Sequence, residues 1–217
     1  MTKDWVGNKN SVFKTLGASN HTEREREKHD YYATEPIAVD GLVDYHEIPL
    51  DPIWECACGE GHLTNRLRSF GYRVVSSDII DRMGSAQRIM NFLKCTEMPV
   101  YAGYDGIPEP CKHIITNPPY KYAMEFVLHA IKLLPEGGLG AFLLKTTFLE
   151  GQKRFEELFS VYPPKVILQF VRRIKCAKNG DFGDIGSSAM AYAWYVWEKG
   201  CRTEPVIRWI NKFHCEF

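Results

Sequence analysis

The sequence predicts an α/β fold in which a largely parallel sheet carries helices on both faces. From residue 51 onward, short apolar runs alternate with amphipathic stretches, as expected of strands joined by crossover helices. The composition, with 45% hydrophobic and 25% charged residues, is that of a globular chain that can bury a core. The alternation continues without a linker, so we expect one sheet.

Six apolar runs have the length and composition of strands. They lie at 52–57, 73–78, 113–117, 139–145, 165–170 and 189–199. The run at 139–145 is apolar at nearly every position, which is typical of a strand buried on both faces.

Amphipathic periodicity predicts helices over 62–70, 122–134 and 152–159. The second of these is the clearest, and Pro135 and Gly137 end it. Each helix follows a predicted strand, as a parallel sheet requires.

The first 30 residues are polar and lack apolar periodicity. We therefore expect a polar N-terminal arm over 1–30, followed by a single domain over 31–217. The longest irregular stretch is 171–188, and long irregular loops in compact domains are often functional.

No apolar run approaches the roughly 18 residues of a membrane span, and the N-terminus lacks the apolar stretch of a signal peptide. The seven cysteines are odd in number and include no C-x-x-C spacing, which argues against a disulfide scaffold or a zinc site. The expectation is a cytoplasmic protein with free thiols, no metal and no membrane contact.

The net charge is zero, because the chain has 27 basic and 27 acidic residues. This balance excludes a strongly basic nucleic-acid binder. A local basic cluster remains at Arg172, Arg173, Lys175 and Lys178. We expect these side chains to meet phosphates, and a solvated surface is the alternative.

A first candidate site follows the strand at 52–57, where Gly59 and Gly61 form a turn before a helix. Backbone N–H groups and the helix dipole converge on a ligand at such a turn. A glycine turn that merely joins strand to helix is the alternative. Thr64 stands where the dinucleotide fingerprint G-x-G-x-x-G needs its third glycine, so that fingerprint is incomplete.

Acidic residues define the ligand expected at this turn. Asp78 ends the next strand, 19 positions after Gly59, where a carboxylate can accept both ribose hydroxyls of a nucleoside. Glu55 and Glu60 add negative charge where a pyrophosphate would want none. A cationic nucleoside, such as S-adenosylmethionine, fits these acids better than an anionic one.

A second candidate site is Asn117-Pro118-Pro119-Tyr120, which follows the strand at 113–117. The prolines make this segment a rigid turn at the carboxyl end of a strand, where α/β sheets place ligands. The Asn117 oxygen and the Pro118 carbonyl can hold both hydrogens of an –NH2 group, and Tyr120 can stack on a planar substrate. A structural double-proline turn is the alternative.

Together these residues resemble the amino-group methyltransferases that use S-adenosylmethionine, and most closely the adenine-N6 type of bacteria and their phages. Residues 55–61 look like that family's first motif, Asp78 matches its ribose-binding acid, and 117–120 match its catalytic tetrad. The resemblance spans residues 29–199. It implies a Rossmann-like, seven-stranded sheet that is mostly parallel with an antiparallel last strand.

The resemblance also implies the residues that hold the cofactor. From the first motif, the second strand and the tetrad they are Glu55, Cys56, Gly59, Gly61, Asp78 and Asn117.

Two further segments are implied to contact the cofactor. Tyr31, Tyr32 and Thr34 lie in a stretch that packs on the cofactor from upstream in many members, and an ordinary turn is the alternative. Where the family often has an acid followed by Phe, this chain has Asn91-Phe92, and asparagine can still pair with an adenine edge.

The implied reaction is methyl transfer from S-adenosylmethionine to the exocyclic amine of adenine in DNA, with the target base flipped out or single-stranded. Asn117 and Pro118 hold the amine, Pro119 supplies no competing N–H, and Tyr120 stacks on the base. For the other face of the base we expect Phe148 or Phe182, and core packing is the alternative for both.

Several alternatives stay open on the sequence alone. The same tetrad suits an adenine or guanine amine in RNA, or a glutamine side chain in a protein. A cofactor-binding protein without catalysis and a nicotinamide-dependent reductase are the other classes. The chain shows no separate target-recognition domain, and the sequence leaves its oligomeric state undetermined.

Overall fold

An eight-stranded sheet forms the centre of the molecule. The structure is a computed structural model, and it describes residues 33–103, 106–174, 176–177 and 190–211. In chain order the strands are β1 (Ala33–Thr34), β2 (Ile53–Glu55), β3 (Val74–Asp78), β4 (Arg88–Ile89), β5 (Val100–Ala102), β6 (Pro108–Pro110), β7 (His113–Thr116), β8 (Leu139–Lys145), β9 (Val166–Phe170), β10 (Cys176–Ala177), β11 (Tyr192–Glu198) and β12 (Val206–Ile210).

The helices lie mostly between these strands. They are α1 (Ile37–Tyr45), α2 (His62–Ser69), α3 (Ala123–Leu133) and α4 (Gln152–Arg154), which continues as a π-helical turn (Phe155–Phe159). Three short 3₁₀ turns are Phe92–Lys94, Tyr120–Tyr122 and Thr146–Leu149. In the ranges described above, no helix combines the length and the apolar character needed to cross a bilayer.

The sheet has the order β12-β9-β11-β8-β7-β2-β3-β4. The strand β11 is antiparallel to both β8 and β9, and the other neighbouring strands pair in parallel. The predicted α/β class and the reversed last strand of the predicted set are therefore confirmed. Within the described residues this sheet has eight strands and not seven, because β12 adds to the edge of the sheet beside β9.

The core lies on both faces of the sheet, because successive residues of each strand point to opposite sides. On one face, Trp54, Ile114 and Phe142 pack with the apolar side of α3. On the other face, an adjacent residue of each strand (Ile53, Ile115 and Leu143) packs with α1 and α2.

Helix α1 was not predicted, because a buried acid and a glycine interrupt its apolar pattern. Asp40 is buried and accepts two hydrogen bonds from Arg66 of α2, at 2.6 Å and 2.8 Å. Trp194 of β11 donates to the Ala38 carbonyl at 2.7 Å. Contacts distant in sequence therefore stabilise this helix.

Two small antiparallel ribbons stand apart from the main sheet. The strands β5 and β6 form one, and β1 and β10 form the other. In the second ribbon, Thr34 pairs with Cys176 and Ala33 with Ala177. The predicted N-terminal arm, 1–30, lies outside the described residues.

Gly41→Ala should destabilise the fold, although alanine is the better helix former. An added Cβ would lie 2.8 Å from Phe170 Cε1 and 3.0 Å from Ile210 Cγ2, so the helix would have to move off the sheet. We expect a loss of about 1–2 kcal/mol in the free energy of unfolding, measured by urea denaturation. The loss should shrink in a Phe170→Leu background; an equal loss in both backgrounds would contradict this account.

Candidate active site

A cavity of about 420 Å³ opens at the carboxyl ends of the parallel strands β2, β3 and β7. This is the edge at which open α/β sheets bind ligands. Both segments singled out in the sequence reach it, since Glu55, Asp78 and Asn117 all line the same cavity. Residues more than 60 positions apart are thus brought to one site by the strand order.

The glycine turn connects β2 to α2 beside this cavity. Gly61 caps α2 with φ of +82°, a left-handed conformation that favours glycine, and an added Cβ would lie 3.1 Å from Ser85 Cβ. The backbone N–H of Gly59 donates to Asp78 Oδ2 at 2.8 Å. The cavity wall is formed by the neighbouring Cys58 and His62, whereas the two glycines shape the turn.

Asp78 is held by several donors at the end of β3. Besides the Gly59 N–H, the Ile80 N–H donates to Oδ1 at 3.2 Å, and Arg82 Nη1 lies 3.5 Å from the same oxygen. Arg82 also lines the cavity. These donors fix the orientation of the carboxylate.

Glu55 is a buried acid at the floor of the cavity. It is 1% exposed and accepts a hydrogen bond from the Thr64 hydroxyl. Burial raises the pKa of Glu55 to about 8, and the nearby negative charge of Asp78 acts in the same direction. A cation that binds here would favour the ionised carboxylate.

Cys56 lies beside Glu55 and is also buried. Burial raises the pKa of its thiol well above the usual value, so the thiolate that would act as a nucleophile is disfavoured. The residue lines the cavity as a small apolar side chain.

The Asn117-Pro118-Pro119-Tyr120 segment leaves β7 and forms one wall of the cavity. Asn117 Nδ2 donates to Thr34 Oγ1 at 2.9 Å, and Asn117 Oδ1 is buried. The Pro119 carbonyl accepts from the Tyr122 N–H at 2.9 Å, which starts the 3₁₀ turn. The predicted turn is thus present at the carboxyl end of its strand.

The ring of Tyr120 is contacted by two residues that sequence reasoning did not single out. Lys145 Nζ lies 4.8 Å from its centroid, and the Tyr192 ring lies 5.7 Å away at an interplanar angle of 32°. Lys145 and Tyr192 are cross-strand partners in β8 and β11. Only the strand order, which places β11 next to β8, could have indicated this pair.

Asn91 and Phe92 reach the cavity from the loop that follows β4. Asn91 Oδ1 accepts from the Leu93 N–H at 3.1 Å, which leaves its amide nitrogen for another partner. Phe92 is 2% exposed and packs edge-on against Trp54, so most of its ring belongs to the core.

Three residues expected to contact the substrate, Phe148, Arg172 and Arg173, do not line the cavity. Phe148 is 8% exposed, packs edge-on against Phe159 and Tyr195, and is not among the residues that line the cavity. The structure thus gives it the alternative role of core packing. Arg172 and Arg173 are exposed just after β9, with Arg172 Nη2 4.0 Å from Glu35.

Several predicted site residues lie outside the described residues. They are Tyr31, Tyr32, Lys175, Lys178 and Phe182. Their roles stay predictions.

Other cavity residues were not predicted. They are Ala33, Ala57, Cys58, His62, Leu63, Ile79, Arg82, Met90, Leu93, Tyr122 and Phe126. Most of them are close in sequence to a predicted residue, and this closeness to a motif could have identified them as cavity residues. Arg82 follows Asp78 by four positions, which places its charge near that acid.

No family model matches this chain, and no curated protein matches its sequence. Solved structures do match its fold. A proposed class I S-adenosylmethionine-dependent methyltransferase from Listeria monocytogenes aligns over 95% of this chain and 73% of its own, with 12% identity and a TM-score of 0.53. This chain has the methyltransferase fold.

A proposed hemolysin from Lactococcus lactis shares that fold at the same TM-score of 0.53 and 12% identity, over 80% of this chain and 91% of its own. At such low identity the similarity concerns the methyltransferase fold alone. The chemistry must therefore be argued from the residues in the cavity.

Glu55→Gln should change how stability depends on pH. The pKa of Glu55 in the folded chain, about 8, exceeds its unfolded value of about 4, so folding retains a proton that the unfolded chain loses. The stabilisation is complete below the unfolded value and is lost as pH rises through 8.

Between about pH 5 and about pH 8, the wild-type free energy of unfolding should therefore fall relative to that of Glu55→Gln, by up to about 1.4 kcal/mol per pH unit. Urea denaturation across this range measures the difference. Glu157→Gln, which alters an exposed glutamate in the π-helical turn after α4, should follow the wild type. Parallel curves for the wild type and Glu55→Gln would refute the burial argument.

Proposed function

We propose that this chain transfers a methyl group from S-adenosylmethionine to the N6 amine of adenine in DNA. The observation that carries the proposal is the single cavity shared by Glu55, Asp78 and the Asn117-Pro118-Pro119-Tyr120 segment. Acids suited to a cationic nucleoside and acceptors suited to an amine thus line one space. Residues 31–217 would form one methyltransferase domain, preceded by the polar arm.

The cavity fits the proposed cofactor in size and in charge. Its volume, about 420 Å³, lies in the range of small-molecule sites. Asp78 would hold the ribose hydroxyls, and Glu55 would face the positive charge. When bound, the cofactor supplies an electrophilic methyl group, whose bond to sulfur breaks as the amine nitrogen bonds to carbon and one amine proton leaves to water.

The chain's own residues would act mainly by positioning the amine. The Asn117 oxygen and the Pro118 carbonyl accept its two hydrogens, which directs the nitrogen lone pair away from the ring. Because Asn117 Oδ1 is buried in this conformation, an amine reaches it only when the cavity opens around the segment. Acceptors that are brought to the amine in this way lower the barrier without a strong base.

Cations near the cavity support a nucleic-acid substrate over a glutamine side chain. Lys145 ends β8, and Arg172 and Arg173 follow β9, whose carboxyl end lies at the same edge of the sheet. A protein amide has no phosphates for these side chains to contact, whereas a target nucleotide is flanked by them.

Methyl transfer can be measured directly by mass spectrometry of nucleosides after incubation with the cofactor and DNA. We expect N6-methyladenine from the wild type and a loss of at least about 100-fold with Asn117→Ala, because one of the two acceptors is gone. Asn65→Ala changes an exposed asparagine on α2 and should keep the wild-type rate.

The same reaction with RNA and with a protein pool separates the alternative substrates. Methyl transfer to RNA or to glutamine, with none to DNA, would reject DNA as the substrate. Cofactor binding without transfer to any pool would reject catalysis.

Removing the charges of Arg172 and Arg173 should reduce the salt dependence of DNA binding. The logarithm of the affinity falls as the logarithm of the salt concentration rises, and each phosphate contact that is lost makes this slope less steep by about 0.9. Fluorescence anisotropy with the Arg172→Gln/Arg173→Gln double variant measures this slope. Arg202 lies beyond the end of the reversed strand β11, at the opposite edge of the sheet, so Arg202→Gln should leave the slope unchanged. An unchanged slope in the double variant would count against phosphate contacts.

A further inference from the structure

The orientation of Asn117 depends on a residue 83 positions earlier in the chain. Asn117 Nδ2 donates to Thr34 Oγ1 at 2.9 Å. Thr34 is 5% exposed and lies in β1, where it pairs with Cys176 of β10. The backbone that carries its hydroxyl is therefore paired in a two-stranded ribbon at the cavity.

An asparagine side chain has two nearly isosteric ends with opposite hydrogen-bonding character. Its oxygen accepts, whereas its NH2 group only donates. Rotation of the amide by half a turn would direct the NH2 group at the amine of the substrate, which needs an acceptor. In the structure the nitrogen faces Thr34, so the hydroxyl acts as acceptor and the nitrogen is turned away from the amine-binding role.

We propose that Thr34 is a positioning residue, whose hydroxyl accepts from the Asn117 amide nitrogen and so keeps that nitrogen turned away from the target amine. This inference rests on the proposed function. It also gives Thr34 a role distinct from the cofactor contact expected from the sequence, although the residue lines the same cavity.

The test compares Thr34→Val, which removes the hydroxyl at nearly constant shape, with Thr34→Ser, which keeps it. We expect kcat for adenine methylation to fall about tenfold in Thr34→Val and to recover to within about threefold in Thr34→Ser. The Kd of S-adenosylmethionine, measured by calorimetry, should stay within about twofold in both variants.

A second background separates orientation from packing. In Asn117→Asp both side-chain oxygens accept, so either orientation presents an acceptor to the amine. Removing the Thr34 hydroxyl should then cost less than about twofold in kcat relative to Asn117→Asp alone. A role of Thr34 in packing would give the same loss in both backgrounds.

The outcomes distinguish this inference from the proposed function. A tenfold loss confined to the Asn117 background, with cofactor affinity intact, supports the positioning role. Three results would overturn the inference alone, provided that the wild type is active. They are a rate that Thr34→Val leaves unchanged, an equal loss of rate in both backgrounds, and a Thr34→Val protein that no longer binds the cofactor. A wild type that transfers no methyl group to adenine overturns the proposed function and this inference with it.

Discussion

The two prolines after β7 are the constraint on which the site depends. Pro118 and Pro119 have no backbone N–H to donate to a neighbouring strand, so β7 ends at Thr116 and the chain leaves the sheet. Because β2 and β3 run parallel to β7, their last residues reach the same edge. Glu55, Asp78 and Asn117 therefore meet in one cavity without any long loop to carry them.

The two carboxyl groups in this cavity have different surroundings. Burial keeps Glu55 protonated at neutral pH, since its pKa is about 8, while Asp78 accepts two backbone hydrogen bonds and lies near Arg82. An acid stabilised by donors is ready to accept hydroxyl groups, and an acid neutralised by burial becomes charged when a cation arrives. The site thus favours a ligand that carries both hydroxyls and a positive charge.

Much of the fold could be predicted because strands and helices that fill a two-sided core keep regular apolar patterns. The runs at 139–145 and 113–117 became β8 and β7 with little change in their bounds. Helix α1 and the pairing of β1 with β10 could not be predicted, since a partly buried ion pair and a contact across more than 140 residues decide them. In the site, the motifs located Asn117, Asp78 and Thr34, whereas the hydrogen bond between Thr34 and Asn117 depends on tertiary geometry.

The aromatic surface at the cavity also differs from the one that the motif alone suggests. Phe148 is part of the core, and Tyr120 already contacts Lys145 and Tyr192. Tyr122, two positions after the tetrad, is 43% exposed and lines the cavity. The 3₁₀ turn that follows Pro119 therefore brings a second, more exposed ring to the cavity. Because stacking needs a ring face that a planar ligand can reach, this ring is better placed to stack than that of Tyr120.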